Sequence, residues 1–346
     1  MSYSFYSEKS NRYDFELSHA AYRLVRRIRP IEKGHQVLIT ADSASDMRVV
    51  EATAAAVFAV GGLPTVVMYP SLFDDEQIIS EPLVGAASKA EVWFDFAVSY
   101  RQYSSAQQAA LLNGCIYFRL TGMDADMMVR TIGQTDCKLL RQMGTWLYTQ
   151  SQAAETVRVE TPAGTCLSMS INKAGDPYWE PPPEIGGYSQ VLSGQSGFLI
   201  YRESVEGTLV IDGSVSHPKN IGIFQHPAFL KIKSGYIQDI QGGIEANCLE
   251  SFLRQYNNPD SLLIDHVCYG FNPGVTKMRG RFLEDERLFG CIEFGIGATT
   301  YGSPVHTDGI CLNPSIWLDD MLIEEKGCYV HPELVNFCEQ MGVLGY

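Results

Sequence analysis

His306 and Asp308 form a His-x-Asp pair, and its spacing is the first chemical signal in the chain. In an extended segment residues i and i+2 project to the same side, so this imidazole and carboxylate can reach one ion. Gly302, Ser303, Pro304 and Gly309 flank the pair and suggest an exposed loop or strand end, where functional residues concentrate. Such a pair supplies two of the three ligands of a 2-His-1-carboxylate facial triad, which holds Fe(II) and leaves three positions for substrate and O2. A third ligand must come from elsewhere. His266 closes an apolar run at 262–264 and precedes Gly270, Asn272, Pro273 and Gly274, so a strand feeding a Gly/Pro loop is expected there. That setting suits a ligand, and it equally suits a satisfied core histidine. Glu293 lies between them in the apolar stretch 291–297; burial there demands a positive partner, either a metal or an arginine such as Arg279 or Arg281.

The other five histidines read as structural. His19 falls in an amphipathic N-terminal helix, His35 follows a glycine before a strand, and His217, His226 and His331 each precede a proline. Competing catalytic sets are poor. Residues 193–197 read SGQSG, which is not a hydrolase nucleophile elbow, and no H-E-x-x-H occurs. Nothing local selects a Cys/His nucleophile pair.

The elements that must position these residues fall into two textures. Strands are expected at 36–40, 63–69, 91–97 and 114–120, with helices over 49–60 and 136–153 and a capping turn at 41–45. Strands separated by helices imply an α/β N-terminal domain with a parallel sheet, Rossmann- or flavodoxin-like. It carries neither G-x-G-x-x-G nor a Walker motif, so it reads as a scaffold. Past residue 155 come a hairpin at 156–171, a proline-rich loop at 178–187, strands at 197–201, 208–214 and 229–233, and a helix over 245–255. The expected division is therefore 1–155, scaffold, and 156–346, a β-rich α+β metal-binding domain.

Composition sets the outer limits. The chain has 346 residues, enough for two cores, and 45% hydrophobic content suits a buried interior. Its net charge of −14 repels phosphate backbones, which makes nucleic acid an improbable partner. Arg23, Arg26, Arg27 and Arg29 cluster as if on one helix face. No apolar run reaches membrane-span length and residues 1–12 lack signal-peptide order, while nine cysteines without a C-x-x-C pair fit reduced thiols. A cytoplasmic enzyme without membrane attachment is the expectation.

In order, His266, Asn272-Pro273-Gly274, Glu284-Asp285-Glu286-Arg287, 290–297 and His306-x-Asp308 resemble the C-terminal domain of the aminopeptidase T family of metallopeptidases. The stretch 206–214 fits as well. That superfamily also contains the ring-cleaving 2,5-dihydroxypyridine 5,6-dioxygenases. The peptidase branch implies two metals bridged by carboxylates. Here Gln195 stands where its first glutamate is expected and His266 where its second is, which leaves the two-imidazole, one-carboxylate set of a mononuclear iron site. Glu293 falls where the peptidases place a further histidine, so it is a candidate fourth ligand or catalytic group. The dioxygenase branch implies acid/base histidines before residue 195. None occurs at 179–193, leaving Tyr178, Tyr188 and Glu184 as substitutes, with Tyr188 and Glu293 taken as the catalytic candidates.

The resemblance implies an Fe(II) extradiol-type dioxygenase acting with O2 on a dihydroxylated N-heterocycle or related aromatic. The alternatives are a metallo-aminopeptidase or amidohydrolase using Zn, Mn or Co, and a non-catalytic pathway protein with a degenerate site. It also implies a homodimer or higher homo-oligomer.

Overall fold

The computed structural model describes residues 13–71, 79–99, 104–173, 187–298 and 302–346. The chain forms two compact units, Met1–Cys137 with Pro181–Leu192 and Lys138–Glu180 with Ser193–Tyr346. This division differs in two ways from a single boundary near 155. The helix Cys137–Ala153 repeats apolar residues at helical spacing, and Leu140, Met143 and Leu147 pack into the core of the second unit with Phe198 and Val267. The chain then returns to the first unit at 181–192. Most of the proline-rich stretch, 178–186, lies outside the described residues.

The first unit holds β1 (Gln36–Asp42), β2 (Leu63–Tyr69), β3 (Val92–Asp95), β4 (Ile116–Arg119) and, numbered along the chain, β7 (Ser189–Val191). They form a parallel sheet in the order β2-β1-β3-β4-β7, so the α/β expectation holds and gains a late fifth strand. Six of the seven β1 residues are buried, as a central strand covered on both faces requires. Leu38, Trp93 and Tyr117 pack with Leu83, Ala87, Ala106 and Ala110 from the helices Glu81–Ala87 and Ser105–Leu112. The arginine cluster does not lie on one regular helix face. Leu24–Ile28 winds as a π-turn, and Arg29 beyond it is buried and donates to Gln190 and Tyr188.

The second unit is built on an antiparallel sheet. The hairpin β5 (Thr156–Glu160) and β6 (Cys166–Ile171) forms where expected. Two expected strands merge into one 17-residue strand, β8 (Gln195–Ile211). It passes Gly207, at φ 125°, where a Cβ would come 2.1 Å from the Cys166 carbonyl oxygen, so glycine lets the strand pass without breaking. After β9 (Ala228–Lys233), β10 (Tyr236–Gln241) and the helix Ile244–Arg254 come β11 (Ile264–Gly270), β12 (Cys291–Ile296) and β13 (Thr307–Leu312). The chain ends with β14 (Ser315–Leu318), β15 (Met321–Glu325), β16 (Cys328–Tyr329) and the helix Pro332–Met341. The sheet order is β13-β12-β11-β8-β6-β5-β14-β15-β16, with β9 and β10 branching from β8.

Among the described residues, no helix is long and apolar enough to cross a membrane.

One core residue carries an energetic penalty. Glu324 on β15 is fully buried, and neither carboxylate oxygen has a hydrogen-bond partner among the described residues. Burial drives its pKa well above the usual 4.5. The folded state therefore holds a proton that the unfolded chain releases as pH rises through 4.5, and stability falls from that pH upward. Glu324→Gln is expected to raise the unfolding midpoint at pH 7 and flatten this decline, measured by denaturant titration at pH 5 and pH 8.

Candidate metal centre

Strand pairing decides which residues meet. Cys268 on β11 stands opposite Glu293 on β12, Glu293 opposite Ile310 on β13, and Gly295 opposite Asp308. On β8, Leu199 pairs with His266 and Gln195 with Gly270. Because side chains alternate, Gln195, His266, Cys268, Glu293 and Asp308 share one face. Phe198, Val267, Tyr269, Ile292 and Phe294 point the other way and fill the hydrophobic core. One face is thus fastened by apolar packing while the other is free to carry charge.

Two local features tune this face. The β11–β12 register shifts between Ile264 and Val267, a bulge that includes Asp265 and His266. Gly295 leaves room for the imidazole, since a Cβ there would lie 2.3 Å from His266 Cε1. His266 therefore sits within β11 and not at its end; the Gly/Pro signal that follows it stops the strand only at Gly270.

His266, His306 and Asp308 converge, with ligand-capable atoms within 4.8 Å of one another. His266 Nε2 is 3.4 Å from Asp308 Oδ1, and His306 Nε2 is 3.0 Å from the same oxygen. The two imidazoles stack with centroids 5.4 Å apart. His306 Nδ1 meets the Gly297 carbonyl at 2.7 Å, and Ser216 Oγ donates to Asp308 Oδ2 at 3.1 Å. These contacts hold the candidate ligands from behind and fix their orientation.

Glu293 joins this set. Its Oε1 lies 3.3 Å from His266 Nε2, and the Gln195 amide donates to its Oε2. Of the arginines, Arg287 is the one that acts on Glu293 electrostatically, while Arg279 Nε lies 3.2 Å from Glu284. Glu286 and Asp308 bring carboxylate oxygens within 4.8 Å of Glu293. Arg287, fully buried, bridges Glu286 at 2.9 Å and Gln195 Oε1 at 2.7 Å.

Electrostatics splits the carboxylates. Burial raises the pKa of Glu293 and the negative charge of Asp308 adds to it, against opposing effects from His266 and Arg287. Burial also works against ionised Asp308, but His306 and His266 outweigh it and hold that carboxyl well below the usual range. His306 rises above 6.5: burial lowers it, and Asp308 reverses the sign. The two carboxyls are thus pushed in opposite directions, Glu293 toward holding its proton and Asp308 toward ionisation. Two imidazoles and one ionised carboxylate suit a borderline divalent transition ion, and the crowded carboxylates favour a cation.

Sequence reasoning named His266, His306, Asp308 and Glu293, and these four come together. Tyr188 belongs to the first unit, where Arg29 donates to its hydroxyl. Tyr178 and Glu184 lie outside the described residues. Reasoning from sequence gave no role to Glu286, Arg287, Asp265 or Cys268. The run 284–287 was conspicuous in its charge, but nothing local showed that all four side chains are buried. Cys268 forms a further group with His266 and Glu293; burial, then Glu293, pushes its thiol up to about 12, so it stays protonated unless a metal binds.

The fold is shared with solved structures. A solved 2,5-dihydroxypyridine dioxygenase from Pseudomonas putida KT2440 superposes with a TM-score of 0.73 at 20% identity, covering 92% of this chain and 98% of that one. Wild-type AmpT from Thermus thermophilus gives 0.67 at 14% identity, over 92% and 100%. At those identities the likeness is one of fold. Residues 19–331 match the family model described as NicX: 2,5-dihydroxypyridine 5,6-dioxygenase, and the chain belongs to that family. A curated 2,5-dihydroxypyridine 5,6-dioxygenase of Pseudomonas putida KT2440 is 31% identical over 156 residues, and this match spans 40% of the present chain and 44% of that relative.

Gly295→Ala provides a steric test. The added methyl must displace the His266 ring, so divalent-metal uptake is expected to fall at least tenfold, while stability drops by only about 1–3 kcal/mol. Metal content after dialysis and a urea melt of the same sample check the two halves.

Proposed function

We propose that His266, His306 and Asp308 hold a single Fe(II), and that the protein opens the ring of a dihydroxylated N-heterocycle of the 2,5-dihydroxypyridine type with O2. The reading is carried by two buried imidazoles and one ionised carboxylate converging within 4.8 Å, in a chain of this family. A bound ferrous ion supplies a Lewis-acidic, O2-reactive centre with positions left for substrate and O2.

The protein's own residues have distinct tasks. Asp308 contributes the one full negative charge among the three ligands, so the site stays net positive and favours an ionised enolate oxygen over a neutral ring. The core-facing half of the sheet keeps the ligands from moving as substrate enters. Glu293, raised by burial and by Asp308 above an ordinary glutamate and so a better proton acceptor when ionised, is placed to exchange a proton with a substrate hydroxyl at Oε1, while Gln195 fixes Oε2. Tyr188 remains the second acid/base candidate. The partners are a small aromatic molecule and O2, and a cytoplasmic homo-oligomer is the expected setting.

A second reading, a metallo-aminopeptidase using Zn, Mn or Co, draws on the neighbouring group Glu286, Glu293 and Asp308. Arg287 and Gln195 weigh against it, because they already neutralise and occupy that group.

Anaerobic purification followed by metal analysis separates the two. One iron per chain with O2 uptake on 2,5-dihydroxypyridine is expected; two Zn or Mn per chain with peptide cleavage would overturn the proposal. His306→Ala is expected to abolish iron binding, and retained stoichiometric iron would remove that residue from the site. Glu293→Gln is expected to lower kcat at least 100-fold with iron retained; Tyr188→Phe should leave kcat within threefold if Glu293 carries the proton.

A further inference from the structure

We propose that Asp265, fixed in place by Arg202, is the positioning residue that sets which nitrogen of His266 faces the metal. This inference rests on the metal reading above.

The His266 ring has two nitrogens in different surroundings. Nε2 faces the site, 3.3 Å from Glu293 Oε1 and 3.4 Å from Asp308 Oδ1. Nδ1 faces away, 3.4 Å from Asp265 Oδ2. The other oxygen of that carboxylate, Oδ1, accepts from Arg202 Nη2 at 2.6 Å. Arg202 therefore orients one edge of Asp265, and Asp265 presents the opposite edge to the ring.

Neighbouring residues on a regular strand point to opposite faces, so Asp265 could not normally lie beside the ring of His266. The register shift between Ile264 and Val267 permits it. A bulge is a specific backbone feature, and here it brings a carboxylate against a ligand. Asp265 and Arg202 have side-chain exposures of only 7% and 16%. A buried ion pair gives little net stability over an apolar pair, which leaves room for a functional reason for this one.

The second histidine lacks this arrangement. His306 Nδ1 meets a neutral backbone carbonyl, that of Gly297, at 2.7 Å. The two imidazoles are therefore inequivalent. A carboxylate behind Nδ1 holds the proton there, leaves the Nε2 lone pair toward the ion, and makes His266 the more basic ligand. Arg202 keeps Asp265 from turning away.

The test uses the full chain and two readouts. The first is affinity for Fe(II), measured anaerobically by competition with a chromogenic chelator. The second is the tautomer of His266 in metal-free protein, read from 15N chemical shifts and assigned with His266→Gln. In the wild type the Nδ1–H form is expected. Asp265→Asn is expected to weaken Fe(II) binding about 10–100-fold and to give a mixture of tautomers, with a lowered melting point from the charge left on Arg202. Arg202→Met should give a smaller loss with the same sign. The paired variant Arg202→Met/Asp265→Asn removes both charges together, so it remains informative if Asp265→Asn alone does not fold. Affinity within twofold of wild type together with an unaltered tautomer in any folded variant lacking the carboxylate reduces Asp265 to an ion-pair partner and overturns the inference. If the wild type takes up no iron, the functional reading fails, and the tautomer measurement still decides the role of Asp265.

Discussion

Glu286, Glu293 and Asp308 bring carboxylate oxygens within 4.8 Å of one another at positions almost closed to solvent. Like charges at that separation in a low-dielectric interior repel strongly, and removal from water makes each more costly. Much of the second unit can be understood as a response. Arg287 neutralises the side nearest Glu286 and orients the Gln195 amide, burial and Asp308 push Glu293 toward its protonated form, and the imidazoles of His266 and His306 stabilise ionised Asp308. On the reading proposed above, a divalent ion held by the two imidazoles and Asp308 would complete the compensation with donor types that a borderline metal prefers.

The antiparallel sheet makes this concentration of charge tolerable. Its period of two separates the faces completely, so β8, β11, β12 and β13 can be apolar on one side and ionisable on the other. Phe198, Val267, Tyr269, Ile292 and Phe294 anchor the strands whose opposite faces carry the candidate ligands. Where strict alternation would have been a hindrance it is broken. The bulge at Asp265–His266 adds a supporting carboxylate, and the missing side chain at Gly295 makes room for a ring.

The same fold is shared by solved proteins of different names, a 2,5-dihydroxypyridine dioxygenase and AmpT. Fold alone therefore does not choose the reaction. In this chain the charged face carries a histidine at 266, a glutamine at 195 and an Arg287 paired with Glu286, and the proposed single-ion reading rests on those residues.

The chain order of α/β elements, the 156–171 hairpin and the identities of His266, His306, Asp308 and Glu293 were legible without coordinates. Each leaves a local trace, in hydrophobic period, turn residues or the i, i+2 spacing of 306 and 308. The merging of 195–211 into one strand was not legible, because its continuity depends on Gly207 passing the Cys166 carbonyl, a contact between distant segments. Nor was the late return of 189–191 to the first sheet, which pairs with β4 across some seventy residues of chain. Burial of 284–287 and the opposition of Asp265 to His266 Nδ1 likewise depend on strand register and on a one-residue bulge. Sequence by itself determined which donor types are available and where the strands that carry them begin. Register, burial and the resulting pKa order were decided only by tertiary structure, since they are sums over neighbours that the chain brings together from far apart.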